Sequence, residues 1–157
     1  STGLIEAEIN HPFSKFESGR VNLTAATLTV TGSAHNGKIV TINKADGTTI
    51  TLPAASGTGD RFEFVIGTTI TSVGAIIKVA NSSDVIAGNS IVVSDTLAVV
   101  LGFTAGATDD TITLNGSTKG GFKGDRIVIT DIATNLFQVN VFASTTGTSA
   151  TPFSATV

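Results

Sequence analysis

Residues 50–66 read ITLPAASGTGDRFEFVI, and residues 112–129 read ITLNGSTKGGFKGDRIVI. Both copies run from Ile-Thr-Leu through a small-residue loop to Gly-Asp-Arg and an apolar run, and the second loop is three residues longer. In each, Ile-Thr-Leu ends a strand, the glycine-rich stretch is a loop, Gly-Asp begins a tight turn and the arginine opens the next strand. The repeat therefore predicts two similar strand-loop-strand units packed as related halves of one core. Asp60 and Asp125 are placed to accept from backbone amides of their own turns. Arg61 and Arg126 can lay their stems along the sheet and keep their charge in water. Turn chemistry of this kind recurs wherever strands reverse, so a duplicated scaffold is preferred to a paired ligand site.

The residues around the repeat extend the same pattern. Threonine supplies about one residue in six, and with Val and Ile it favours extended backbone over helix. Val40 and Ile42 alternate with polar neighbours, and Ile50 and Leu52 resume the alternation after Lys44-Ala45-Asp46-Gly47. That spacing predicts a hairpin with these four apolar residues on its buried face. Further period-two sets are Phe62, Phe64 and Ile66; Ile77 and Val79; Ile91 and Val93; Ile127 and Ile129; and Phe137, Val139 and Val141. Turns are expected at Asn36-Gly37, Ala87-Gly88-Asn89, Asn115-Gly116 and Gly120-Gly121. Short strands between frequent turns predict an all-β fold: a compact sandwich, jelly roll or small barrel forming a knob with extended N- and C-terminal arms.

At 157 residues the chain is long enough for one domain burying roughly two thirds of its unfolded surface. The expected boundaries are an N-terminal arm over 1–20, a β domain over 21–142 and a C-terminal arm over 143–157. His11-Pro12 ends any early helix. Leu4, Ile5, Ile9, Phe13 and Phe16 give the first arm more apolar side chains than a solvated tail tolerates. The last fifteen residues, ASTTGTSATPFSATV, have no periodicity, with Phe153 prominent among them. These six residues are the expected contacts with other chains. Only 13% of residues are charged, against about one quarter in ordinary soluble domains, and the mean hydropathy is +0.35. Part of the apolar surface is thus expected to be covered by another chain.

The same composition limits the chemistry. The longest apolar run, Leu97 to Val100 with Leu101 and Phe103, falls far short of the ~20 residues of a membrane span, so no membrane partner is expected. A net charge of −3, with no aromatic-interleaved basic stripe, speaks against a nucleic-acid partner. There is no cysteine, hence no disulfide or thiolate metal site. His11 and His35 have no neighbour at catalytic or metal-ligand spacing, and there is no Gly-x-Ser-x-Gly elbow. Asp109-Asp110 lacks the graded loop of a calcium site and reads as a solvated turn. No enzyme activity, cofactor or metal is expected. Phenylalanine is the only aromatic residue, which weakens a sugar platform built on Trp or Tyr faces.

The phrases LTAATLTVTGSAHNGKIVTINKADGTTITLPAASGTGDRFEFVIGTTIT, IIKVANSSDVIAG, DTITLNGSTKGGFKGDRIVITDIATNLFQV and TGTSATPFSATV resemble tailed-bacteriophage capsid decoration, or cement, proteins. The resemblance covers most of residues 23–157 and carries no catalytic motif. It implies an all-β knob on the outer surface of the capsid in the virion, commonly a homotrimer, bridging neighbouring subunits of the major capsid protein. No individual contact residue is implied by it. An adhesion or glycan-binding module of a head fibre or tail is the alternative expectation, since loop-rich β folds often serve recognition.

Overall fold

The computed structural model describes residues 19–157. The expected contacts at Leu4, Ile5, Ile9, Phe13 and Phe16 lie outside the described residues. Twelve strands are present: β1 (Arg20–Leu23), β2 (Thr27–Thr29), β3 (Ile39–Ile42), β4 (Thr48–Thr51), β5 (Arg61–Ile66), β6 (Ala75–Lys78), β7 (Val85–Ser94), β8 (Val99–Thr104), β9 (Thr111–Leu114), β10 (Arg126–Ala133), β11 (Leu136–Thr145) and β12 (Phe153–Ser154). Among the described residues there is one short helix, α1 (Gly32–His35), capped by the Thr31 side chain, which accepts from the Ala34 amide. Among the described residues no helix is long and apolar enough to cross a membrane.

The fold is an all-β sandwich of two mixed sheets. The wider sheet runs β1-β3-β5-β10-β11-β7-β8, and the narrower runs β12-β9-β6-β4-β2. From β1 to β6 the chain alternates between them, so β1, β3 and β5 stack in parallel in one sheet while β2, β4 and β6 stack in parallel in the other. This is a three-coil solenoid whose apolar side chains lie in rows: Leu23, Ile42 and Ile66 on one side, Leu28, Ile50 and Ile77 on the other. A single coil cannot bury its own apolar face, so each depends on its neighbours.

The expected hairpin over residues 40–52 is therefore replaced by an arch. Val40, Ile42, Ile50 and Leu52 are buried as expected, but β3 and β4 belong to opposite sheets. The turn at Ala87-Gly88-Asn89 is also absent, because these residues lie inside β7. Gly88 adopts φ +147°, and a Cβ there would collide with the Val139 carbonyl across the β7–β11 ladder. Glycine at this position permits close backbone approach rather than a reversal.

The two copies of the repeat do form related halves. In each, the chain passes from the narrow sheet (β4, β9) to the wide one (β5, β10), and β5 and β10 are antiparallel neighbours. Glu63 and Val128, equivalent positions of the two copies, lie directly opposite each other in that ladder. A local two-fold axis thus runs between them. β4 and β9 flank β6 on either side, placing Ile50, Ile77 and Ile112 in one buried row.

The segment 143–157, expected as an arm, lies on the domain instead. Ala143 and Thr145 continue β11, and β12 adds to β9 with Phe153 opposite Ile112. The Thr113 amide donates to the Pro152 carbonyl at 2.9 Å and the Asp110 amide to the Ser154 carbonyl at 2.9 Å. Asp110, expected in a solvated turn, is buried and accepts from the Thr156 amide at 2.8 Å, the Val157 amide and the Thr111 hydroxyl. Its carboxylate closes the end of the chain onto the sandwich.

Candidate interaction surface

The loops between the sheets are held by carboxylates that accept from backbone amides. Asp131 of β10 accepts from the Ser56 amide, from the Gly57 amide at 2.7 Å and from the Thr58 hydroxyl at 3.0 Å. Burial works against its charge, but these bonds hold its pKa below the ordinary carboxylate value. Asp125 accepts from the amides of Gly121, Phe122 and Ser144; here burial prevails over the hydrogen bonds and raises the pKa. Asp84 accepts from the Ala55 amide and the Asn81 side chain. Asp125 thus serves its own turn as expected, whereas Asp60 does not serve the first copy. Its carboxylate lies over Gly32, where a Cβ would clash, and Asp131 holds that loop instead.

His35 is likewise structural. It is buried in α1 and its Nδ1 accepts from the Thr31 amide at 3.0 Å. Among the described residues no group of three or more His, Asp or Glu side chains is placed to hold a metal ion. Phe153, expected as a contact with another chain, is only 5% exposed and packs in the core. Pairing of β12 with β9 turns its ring inward.

The outer face of the wide sheet has two unlike halves. On one, the repeat arginines flank Glu63, the residue at the local two-fold: Arg126 Nε lies 2.6 Å from Glu63 Oε1 and Arg61 Nη1 lies 3.6 Å from Glu63 Oε2. Both arginines remain half-exposed, so their charge stays wet as expected while sharing one carboxylate. The duplication itself produces this arrangement, because a two-fold passing between Glu63 and Val128 sets the equivalent arginines Arg61 and Arg126 on either side of that pair.

The other half carries exposed apolar side chains, and β7 places apolar residues on both of its faces: Ile86 and Val92 are buried in the core. Ile91 and Val93 point outward, 45% and 55% exposed, while Ser90 and Ser94 point into the sandwich at 0% and 1%. Ser90 Oγ has no hydrogen-bond partner. The ladders seat Ile91 beside Phe142 of β11, which is 45% exposed, and Val93 beside Val100 of β8, which is 66% exposed. Leu97 is exposed in the turn at the end of the hairpin, and Val99, opposite inward-facing Ser94, is exposed on the other face. That end is tied down: the Leu97 amide donates to Ser94 Oγ, the Gly147 amide to Thr96 Oγ1 at 2.7 Å, and the Asp95 amide to the Thr145 carbonyl at 3.0 Å.

β8 is also an edge strand. The Ala105 amide donates to the Gly88 carbonyl, and with the observed register this turns the N–H and C=O groups of Val100, Gly102 and Thr104 away from β7, toward the free side. The strand reads VVLGFT, with no charge and no proline, the devices that commonly protect an edge. None of these residues was among the contacts expected from sequence. The available signal was the run from Leu97 to Leu101 together with serines alternating against Ile91 and Val93.

No family model, curated protein or solved structure matches the chain.

Proposed function

We propose that this chain is a structural protein of a tailed-phage virion, decorating the outer surface of the capsid and bridging neighbouring major capsid subunits. One observation carries the reading beyond the resemblance in sequence. Ile91, Val93, Val100 and Phe142 form an exposed apolar surface on a domain whose buried carboxylates are engaged by backbone amides. Such a surface acts by packing against other chains and needs no reacting group, cofactor or metal. A protein that binds only the assembled shell stabilises it by mass action, about 2.7 kcal/mol per site at a free concentration one hundred times Kd. In this reading the chain associates with its own copies, as a homotrimer, and Leu4, Ile5, Ile9, Phe13 and Phe16 anchor it to the shell.

The test is to add the full-length chain to shells that lack it and to record both occupancy and the temperature at which the shells rupture. Saturable binding with a raised rupture temperature is expected. Shells that neither bind the chain nor gain heat resistance contradict the reading, and saturable binding to a glycan array in their place supports an adhesion module. Removal of residues 1–16 is expected to lower occupancy, and unchanged occupancy rules out the arm as the anchor.

A further inference from the structure

We propose that the outer face of the wide sheet is the surface that meets the shell, and that it docks on a protein surface rich in carboxylates. The proposal rests on the capsid reading and names the contact within it. The chain has three arginines, Arg20, Arg61 and Arg126, and all three project from this one face. β1, β5 and β10 turn Leu23, Phe62, Phe64 and Ile127 into the core, so the alternation of the strand directs these arginines outward. Among the described residues Glu63 is the one acidic side chain at an outward strand position of the wide sheet, and no lysine or aspartate stands at one. Three arginines against one glutamate leave the face at +2 on a chain whose net charge is −3. The two signs of charge are thus separated within one small domain.

Charge and its surroundings select the occupant. Glu63 is shared by Arg61 and Arg126, and one carboxylate cannot neutralise two guanidiniums, so the cluster keeps an excess of positive charge. Arg20 stands in the same row as Glu63 with Ile39 between them, two strands or about 10 Å away, too far to pair with it. Two copies apposed through this face would set arginine against arginine, which disfavours a like copy there. The neighbours of the arginines favour protein over nucleic acid: exposed Phe142 lies directly opposite Arg126 in the β10–β11 ladder, and exposed Ile91 lies beyond it in β7. Arginine and aromatic side chains, with lysine, aspartate and glutamate scarce, are the composition of protein interfaces. A guanidinium also grips a carboxylate through two parallel hydrogen bonds. Seven strands at ~4.8 Å spacing span about 29 Å, room for the ~800 Å² per partner of a standard interface.

Titration of shells that lack the chain with the full-length protein tests this, read as affinity against salt. Arg20→Glu and Arg126→Glu are each expected to weaken binding on the order of tenfold with an unchanged circular dichroism spectrum. Thr29→Glu, which places a carboxylate on the exposed outer face of β2 in the narrow sheet, is expected to bind as wild type does. Glu63→Gln removes the one acid of the face and is expected to tighten binding severalfold, an effect that a purely structural role of the cluster would not give. The wild-type affinity is expected to fall about tenfold between ~0.05 and ~0.5 M NaCl, a readout that stands even if an arginine variant fails to fold. Binding by the wild-type chain that neither salt nor these substitutions move overturns the proposal and leaves the capsid reading standing. No binding by the wild-type chain overturns both. Arginine-dependent binding to a polyuronate or to duplex DNA, with shells that take up Arg20→Glu as well as wild type, assigns the face to another class of partner and overturns the proposal.

Discussion

At the scale of single residues, aspartates do much of the structural work of this domain. Asp131 is the clearest case, since one carboxylate takes donors from three successive residues of the loop over Ser56–Thr58. Asp131→Ala is expected to cost about 3 kcal/mol, because it leaves those donors without their charged acceptor, and a urea titration measures it. The pKa directions also fix the pH response. Asp131 and Asp110 are lowered in the fold, so their stabilisation is fully present above the unfolded value, about 3.9, and is lost as pH falls through the folded values. Asp125 is raised and acts oppositely, its contribution fading as pH rises through its folded value. Asp131→Ala is accordingly expected to flatten the acid limb of a plot of Tm against pH, and an unchanged slope would count against the assignment. Phe153 separates an arm from a core residue: Phe153→Ala is expected to cost about 3–4 kcal/mol, whereas a side chain on a loose arm would cost almost nothing.

At the scale of elements, the internal repeat makes the sheet. The local two-fold between β5 and β10 follows from a register that pairs Glu63 with Val128, and it gives Glu63 two arginine partners. A double-mutant cycle on Glu63 and Arg126 is expected to return a coupling of about 0.5–1 kcal/mol that shrinks as salt is added, as for other half-exposed pairs. Strands were largely legible in the sequence because period-two alternation is a direct consequence of the pleat. Their pairing was not. Val40 and Ile42 followed by Ile50 and Leu52 satisfy a hairpin and an inter-sheet arch equally well, since both bury the same side chains. Periodicity also marks two faces without saying which is inside, and β7 carries apolar residues on both, Ile86 and Val92 buried and Ile91 and Val93 exposed. The C-terminal strand was hidden for another reason: β12 is only two residues long, too short for any period, and its burial comes from the Asp110 bonds and the partner strand β9.

At the scale of the whole molecule, the middle of the wide sheet carries the shared Arg61–Glu63–Arg126 charges on β5 and β10, and the strands beside them, β11, β7 and β8, carry exposed apolar side chains up to the sheet edge. Among the described residues the exposed apolar side chains gather on the strands β7, β8 and β11 and the turn between β7 and β8. Where the chain resides in a particle is the claim on which its role depends. Immunogold electron microscopy of the virion, with antibody against this chain, tests that claim most directly: the account predicts dense label spread over the heads, and label confined to the tail or fibres would contradict it.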